Sequence, residues 1–191
     1  MPSKSIVARR PPRRALRGYT DYRKRLKLVK SGKPRLVVRR TNRYLIVQVV
    51  ESRSGGDHTA VTVTTKILSK FGWRGGGKSI PAAYLAGFLA GRLALQKGYS
   101  EAILDIGMHF PHPGSRIFAA VKGVLDAGLS TPVGEGVLPQ EERIRGVHIT
   151  DYHHAASSSG VTPQFRALDP DFLRTLPQKL DEVKQRIIQE T

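Results

Sequence analysis

Hydrophobic and polar positions change period several times along the chain, and each change marks an element. Tyr22, Leu26 and Val29 fall at i, i+4 and i+7, the spacing of one helix face. Thr20 or Asp21 can cap the start of this helix and Gly32 can end it. Its narrow apolar stripe is flanked by cations, so the helix is expected to lie between a core and a phosphate backbone. Two apolar runs, 34–40 and 44–50, read as strands joined by a tight hairpin at Thr41, Asn42 and Arg43. Ser52 to Asp57, with Gly55 and Gly56, reads as a second turn. His58 to Thr64 then alternates polar and apolar, as a half-exposed antiparallel strand does. A short helix is expected over Thr65–Phe71, with Ile67, Leu68 and Phe71 inward and Gly72 past its end.

The longest apolar stretch starts at Ser79, a helix cap, has Pro81 in its tolerant first turn, and stops at Gly98. Ala83, Gly87 and Gly91 make a row of small residues, which lets this helix approach a sheet or another helix closely. Ala102–Ile106 reads as a buried strand, Ser115–Asp126 as a helix, Gly146–Ile149 as a short strand and Asp151–Ala156 as a short helical turn. Ser157, Ser158, Ser159 and Gly160 read as a linker. Beyond them Phe172, Leu176, Leu180, Val183 and Ile187 recur at helical spacing, an amphipathic segment with an interruption expected at Pro177. No internal repeat is found. The fold class that follows is α/β, divided into an arm over 1–18, an α/β domain over 19–156, and a linker with a C-terminal helical segment over 157–191.

Charge sharpens this picture. The 191 residues carry 32 Lys and Arg against 15 Asp and Glu, a net +17. Residues 1–40 hold fifteen of the bases and a single acid, Asp21, whereas residues 41–191 are only +3. An excess concentrated in this way calls for a polyanion, because each neutralised phosphate releases a condensed counterion. Residues 1–18, with two prolines inside an arginine cluster and no hydrophobic period, are expected to be disordered when free. No stretch approaches the roughly 18–20 apolar residues of a spanning helix, and no apolar core of a signal peptide is found, so a cytoplasmic location without a membrane partner is expected. A hydrophobic content of 39% excludes disorder throughout. The absence of cysteine rules out disulfide scaffolds, thiolate zinc sites and cysteine nucleophiles.

One motif points to catalysis. Gly72 to Ser79 satisfies G-x-x-x-x-G-K-S, the phosphate-binding P-loop, and Asp105 at the end of an apolar strand imitates its magnesium-holding acid. A P-loop needs a buried strand running straight into the glycines. Here the preceding strand alternates and a short helix intervenes, so a nucleotide hydrolase using Lys78, Ser79 and Asp105 is the alternative rather than the leading reading. The six histidines, His58, His109, His112, His148, His153 and His154, lack the spacing that places two ligands on one helix face. No metal and no cofactor are expected. A Ser–His–Asp triad has no G-x-S-x-G to support it.

The basic segment interleaves Tyr19 and Tyr22 with cations that no acids balance, so a merely solvated helix would repel itself. Arginine forks suit phosphates, and tyrosines can stack on unpaired bases. The run Thr20–Ser31, then Pro34–Arg39, Asn42 and Gln48, resembles the archaeal-type large-subunit ribosomal protein of the L-eighteen family, related to the eukaryotic L-five protein. Pro81–Gly87, Leu104–Gly107, Gly114–Gly128 and Arg145–Ile149 extend the resemblance, in order, over about residues 9 to 150. It implies a mixed sheet with packed helices, a basic N-terminal extension and a C-terminal helical segment. It also implies a non-catalytic constituent of the large subunit that binds 5S rRNA and helps dock it in the central protuberance. Large-subunit rRNA and neighbouring proteins are the further partners, and no homo-oligomer is expected. Carried onto matching positions, the RNA contacts are Arg13, Arg14, Arg17, Tyr19, Tyr22, Arg23, Arg25, Lys27, Arg35, Arg39 and Arg43, with Arg53, Arg74 and Lys78 as further candidates on loops.

Overall fold

Two apolar runs and one alternating segment, neighbours in the chain, build most of the sheet. The structure, a computed structural model, describes residues 11–134, 136–158 and 168–191. Strands β1 (Arg35–Arg40), β2 (Leu45–Arg53), β3 (Gly56–Thr64) and β4 (Ile103–Asp105) are ordered β3-β2-β1-β4. The first three pair antiparallel and β4 runs parallel to β1, so the sheet is mixed. Leu36 faces Val49 and Val38 faces Val47 in register, and all four are fully buried. A bulge at Val49 and Val50 shifts the pairing to β3 and lets Ala60 and Val61 both enter the core.

The buried sheet face is covered by α3 (Ile80–Gln96) and α4 (Arg116–Asp126). The Ser79 hydroxyl accepts the Ala82 N–H at 3.3 Å, and Pro81 falls where it costs no hydrogen bond. The small-residue row works as expected: a Cβ on Gly87 would overlap the Ala120 carbonyl, and one on Gly123 would overlap the Tyr84 carbonyl. The two helix backbones therefore touch. A 3-10 helix over Thr65–Phe71 precedes the glycine loop and ends at Gly72 in the left-handed region, φ +89°.

Several local expectations are corrected. The arm is not wholly irregular, because α1 (Arg13–Leu16) forms one helical turn after Pro12; residues 1–10 lie outside the described residues. Helix α2 (Tyr22–Lys30) is capped by Asp21, which accepts the Arg23 and Lys24 N–H groups. Its stripe is turned, however: Tyr22 and Leu26 are exposed, and Arg25, Leu28 and Val29 are the partly covered positions. Strand β4 is half-buried at Ile103 and Leu104 and buried at Asp105.

Residues 147–149 are helical, not extended. Helix α5 (Glu141–Arg145) ends at Gly146, φ +80°, and α6 (Val147–Ser158) begins at once, with Ile149 and Thr150 donating to the Gly146 carbonyl. Ser157 and Ser158 finish that helix instead of starting a linker, and Ser159 and Gly160 lie outside the described residues. The C-terminal break falls at Thr175, between α7 (Pro170–Arg174) and α8 (Leu176–Glu190), so Pro177 sits harmlessly in a first turn. Phe172, Leu176, Leu180, Val183 and Ile187 are all buried in the same core as the sheet and α3.

Candidate nucleic-acid interface

With one sheet face buried under helices, the opposite face carries the alternate residues of β1: Arg35, Val37 and Arg39. Asp105 ends the neighbouring strand beside Val37. Its carboxylate accepts Arg35 Nη1 at 2.9 Å, Arg39 Nη2 at 2.8 Å and the Gly107 N–H at 2.9 Å. Arg39 Nη1 also donates to the Asp105 carbonyl. Arg35 Nη2 stands 2.7 Å from Asp57 Oδ2, which also accepts Arg25 Nη2 of α2 at 2.8 Å. Arg25, Asp57, Arg35, Asp105 and Arg39 thus form one alternating chain of charge that ties α2 to the sheet.

Burial alone would raise the pKa of Asp105, but hydrogen bonds from Arg39, Gly107 and Arg35, with the Arg39 charge, hold it below the ordinary value. Asp57 shows the same balance: burial pushes up, Arg35, Ser52 and Arg25 pull further down. Both carboxyls stay ionised, and each is held by two arginines and one further donor, Gly107 N–H on Asp105 and the Ser52 hydroxyl on Asp57.

Between this face and the helical segment above it runs a cleft of about 570 Å³. Arg14, Tyr19, Lys24, Lys27, Gln48 and His109 are on its walls, together with Arg25, Arg35 and Arg39. Arg13, Arg14, Arg17, Tyr19, Tyr22, Arg23 and Lys27 are exposed, Tyr19 by 65% and Tyr22 by 39%. Among the described residues the five cations in that set make no ion pair. Arg14 Nε donates to Thr20 Oγ1 at 3.1 Å, which steadies the turn between α1 and α2.

Other expected contacts are placed differently. Arg35 is 4% exposed and has its charge spent on Asp57 and Asp105, so it offers nothing to an outside anion. Arg43 is exposed at the hairpin tip, Arg53 is bound to Glu51 at 2.9 Å, and Arg74 lies 3.5 Å from Asp169. Those three and half-buried Lys78 do not line the cleft. Asp57 and Asp105, which decide which arginines are free, were not among the expected RNA contacts; Asp105 entered only as the acid of the P-loop alternative. The sequence placed Asp57 at the end of a turn and Asp105 at the end of an apolar strand, with nothing to say that arginines would meet them there.

The glycine loop lacks the entry of a P-loop, because a 3-10 helix and not a strand leads into it. Space beside Gly75 is filled by the Trp73 and Phe172 rings and space beside Gly77 by the Tyr44 ring. The Ser79 hydroxyl donates to the Gly76 carbonyl at 2.8 Å as well as capping α3, and Asp105 is consumed by arginines. Among the described residues no group of three or more His, Cys, Asp or Glu side chains is placed to hold a metal. No helix among them is long and apolar enough to cross a membrane.

Fold and charge together define a class: an α/β protein with a well-filled helical core on one sheet face and a strongly basic surface on the other. The profile of the family described as "Ribosomal large subunit proteins 60S L5, and 50S L18" matches residues 9–100. The large ribosomal subunit protein uL18 of Thermofilum pendens is 46% identical over 187 residues, covering 93% of this chain and 93% of its own. That of Methanothermobacter thermautotrophicus is 46% identical over 183 residues, with 93% and 94% covered. That of Methanoculleus marisnigri is 52% identical over 142 residues, with 74% and 81% covered. The chain belongs to the uL18 family of large ribosomal subunit proteins.

Proposed function

We propose that the chain is a non-catalytic, cytoplasmic constituent of the large ribosomal subunit that binds 5S rRNA and helps dock it in the central protuberance. The observation that carries the reading is the set of exposed, unpaired cations on α1, α2 and the turn between them, held over an arginine-braced sheet face. Arg13, Arg14, Arg17, Arg23 and Lys27 engage phosphates as point and fork contacts. Arg25 and Arg39 contribute the sides not taken by Asp57 and Asp105, while Arg35 holds the platform. Tyr19 and Tyr22 stack on unpaired bases. Arg43, Arg53, Arg74 and Lys78 lie outside the cleft and serve large-subunit rRNA or the flanks of the same site. The chain enters the particle as a single copy beside neighbouring proteins of the central protuberance.

Filter binding of the whole chain to 5S rRNA and to an unrelated RNA of equal length tests this. A clear preference for 5S rRNA is expected, with a large loss of affinity when residues 1–18 are deleted. Equal binding of the two RNAs, or indifference to the deletion, overturns it.

A further inference from the structure

On the other side of His109 from the cleft lies a second hollow, of about 310 Å³. Arg40 at the end of β1, Arg116 at the start of α4 and Arg143 in α5 line it, with Phe110 and His112 from the loop after β4. No carboxylate is on its wall, and none of the three arginines makes an ion pair among the described residues. Three like charges around one small space repel one another until an anion enters it. The Ser115 hydroxyl, also on the wall, is buried without a hydrogen-bond partner.

Phe110 is 71% exposed, a costly position for a phenyl ring. It is nonetheless held firmly. Pro111 and Pro113 restrict the loop, and His112 donates its N–H to the Phe110 carbonyl at 3.0 Å. Gly114 donates to the Val137 carbonyl at 2.9 Å, and the Phe110 and His112 rings lie 4.7 Å apart. A rigid aromatic beside clustered cations is the arrangement that takes a base face and its phosphate together, because stacking needs no sequence-specific partner. His109 lines both spaces and accepts the Arg40 N–H on Nε2 at 3.3 Å, so the hollow continues the basic cleft.

We propose that this hollow is a nucleotide site, taking one unpaired residue of a bound RNA with its phosphate among Arg40, Arg116 and Arg143 and its base on Phe110. A paired base hides its faces in the stack and cannot do this, so the site selects single-stranded or looped RNA. The proposal deepens the RNA-binding reading above and rests on it.

The test uses the full chain carrying Phe110→Trp. The chain's single native tryptophan, Trp73, is buried, so the new indole reports locally. Phe110 is exposed, so the substitution leaves the core untouched. A mixed-sequence single-stranded RNA octamer should quench the new emission, and the same sequence as a duplex should not. Adding Arg116→Gln and Arg143→Gln should move the quenching midpoint at least about tenfold higher, as the loss of charge-assisted contacts requires. Phe110→Ala should weaken 5S rRNA binding roughly 5- to 150-fold, the range for losing one stacked base. Unchanged emission at RNA concentrations that saturate filter binding overturns the proposal, as does equal quenching by the duplex. Quenching by poly-glutamate and not by RNA overturns it and assigns the hollow to an acidic protein segment. Local quenching by single strands without any preference for 5S rRNA would leave the nucleotide site standing and remove the 5S assignment.

Discussion

Asp105→Asn is the sharpest probe of the surface that carries the cations. The substitution keeps the shape of the side chain, removes its charge, and points an amide NH₂ at a guanidinium. Asp105 is 8% exposed at its side chain and Arg35 is 5%, so the lost attraction belongs to a low-dielectric setting. Breaking a buried pair from one side costs roughly 3–5 kcal/mol. Two features soften this: Arg39, 36% exposed, can turn to water, and Arg35 retains Asp57. A loss of about 2–4 kcal/mol remains, which for a chain of this length lowers the melting temperature by about 5–15 °C. Thermal and urea unfolding at pH 7 measure it.

Acid gives the control. The Asp105 carboxyl is held below its ordinary value in the folded protein, so its contribution is complete above the unfolded pKa of about 3.9 and disappears as the pH falls through the lower folded value. The gap between wild type and variant should therefore close below about pH 4. A loss smaller than about 1 kcal/mol, or a gap that persists undiminished at pH 2, would refute the reasoning. In the cold, where both forms are folded, the variant carries one fewer negative charge on that face and should bind RNA slightly more tightly.

Gly87→Ala should cost about 2 kcal/mol or more, because the new methyl meets the backbone of Ala120, whereas Gly55→Ala, in open space, should change thermal stability by less than about 0.5 kcal/mol. Replacing Arg13, Arg14 and Arg17 by glutamine should flatten the slope of log K against log salt by about 2–3 if each contacts one phosphate, while Arg35→Met should destabilise the fold and leave that slope unchanged. Ser79→Ala should cost about 1 kcal/mol in a melt through the lost cap, and millimolar ATP should leave the melting temperature of the wild type unmoved. A thermal shift with ATP would reopen the P-loop reading.

What was legible in the sequence follows from how many local forces agree. At α3 the apolar stretch, the Ser79 cap, the early Pro81 and the terminal Gly98 all say the same thing, and the helix falls where they place it. The hairpin at Thr41–Arg43 is equally local, with Thr41 Oγ1 bonded to the Tyr44 carbonyl and accepting the Tyr44 N–H. Residues 147–149 had only one apolar alternation to argue for a strand, and the left-handed turn at Gly146 passed them from one helix to the next. The turned stripe of α2 was invisible for a different reason: its orientation is set by Arg25 reaching Asp57, thirty-two residues away. The cations of the interface could be counted in advance. Which of them are free could not, because Arg35 meets Asp105 across seventy residues of chain and only the folded sheet brings them together.

The late position of α8 has a consequence for how such a protein is made. Leu176, Leu180, Val183 and Ile187 pack on α3 and on the 3-10 helix Thr65–Phe71, both much earlier in the chain, on the side away from the sheet. At roughly 5–20 residues per second, α2 is complete roughly 8–30 s before the end of α8 is synthesised. Throughout that interval the most basic part of the molecule is already available to polyanions, and from the completion of α3 onward the outer apolar side of that helix lacks its cover. Newly made chains are thus sticky in two ways at once, and a partner that shields the cationic segment or the open core during synthesis would have most to offer then.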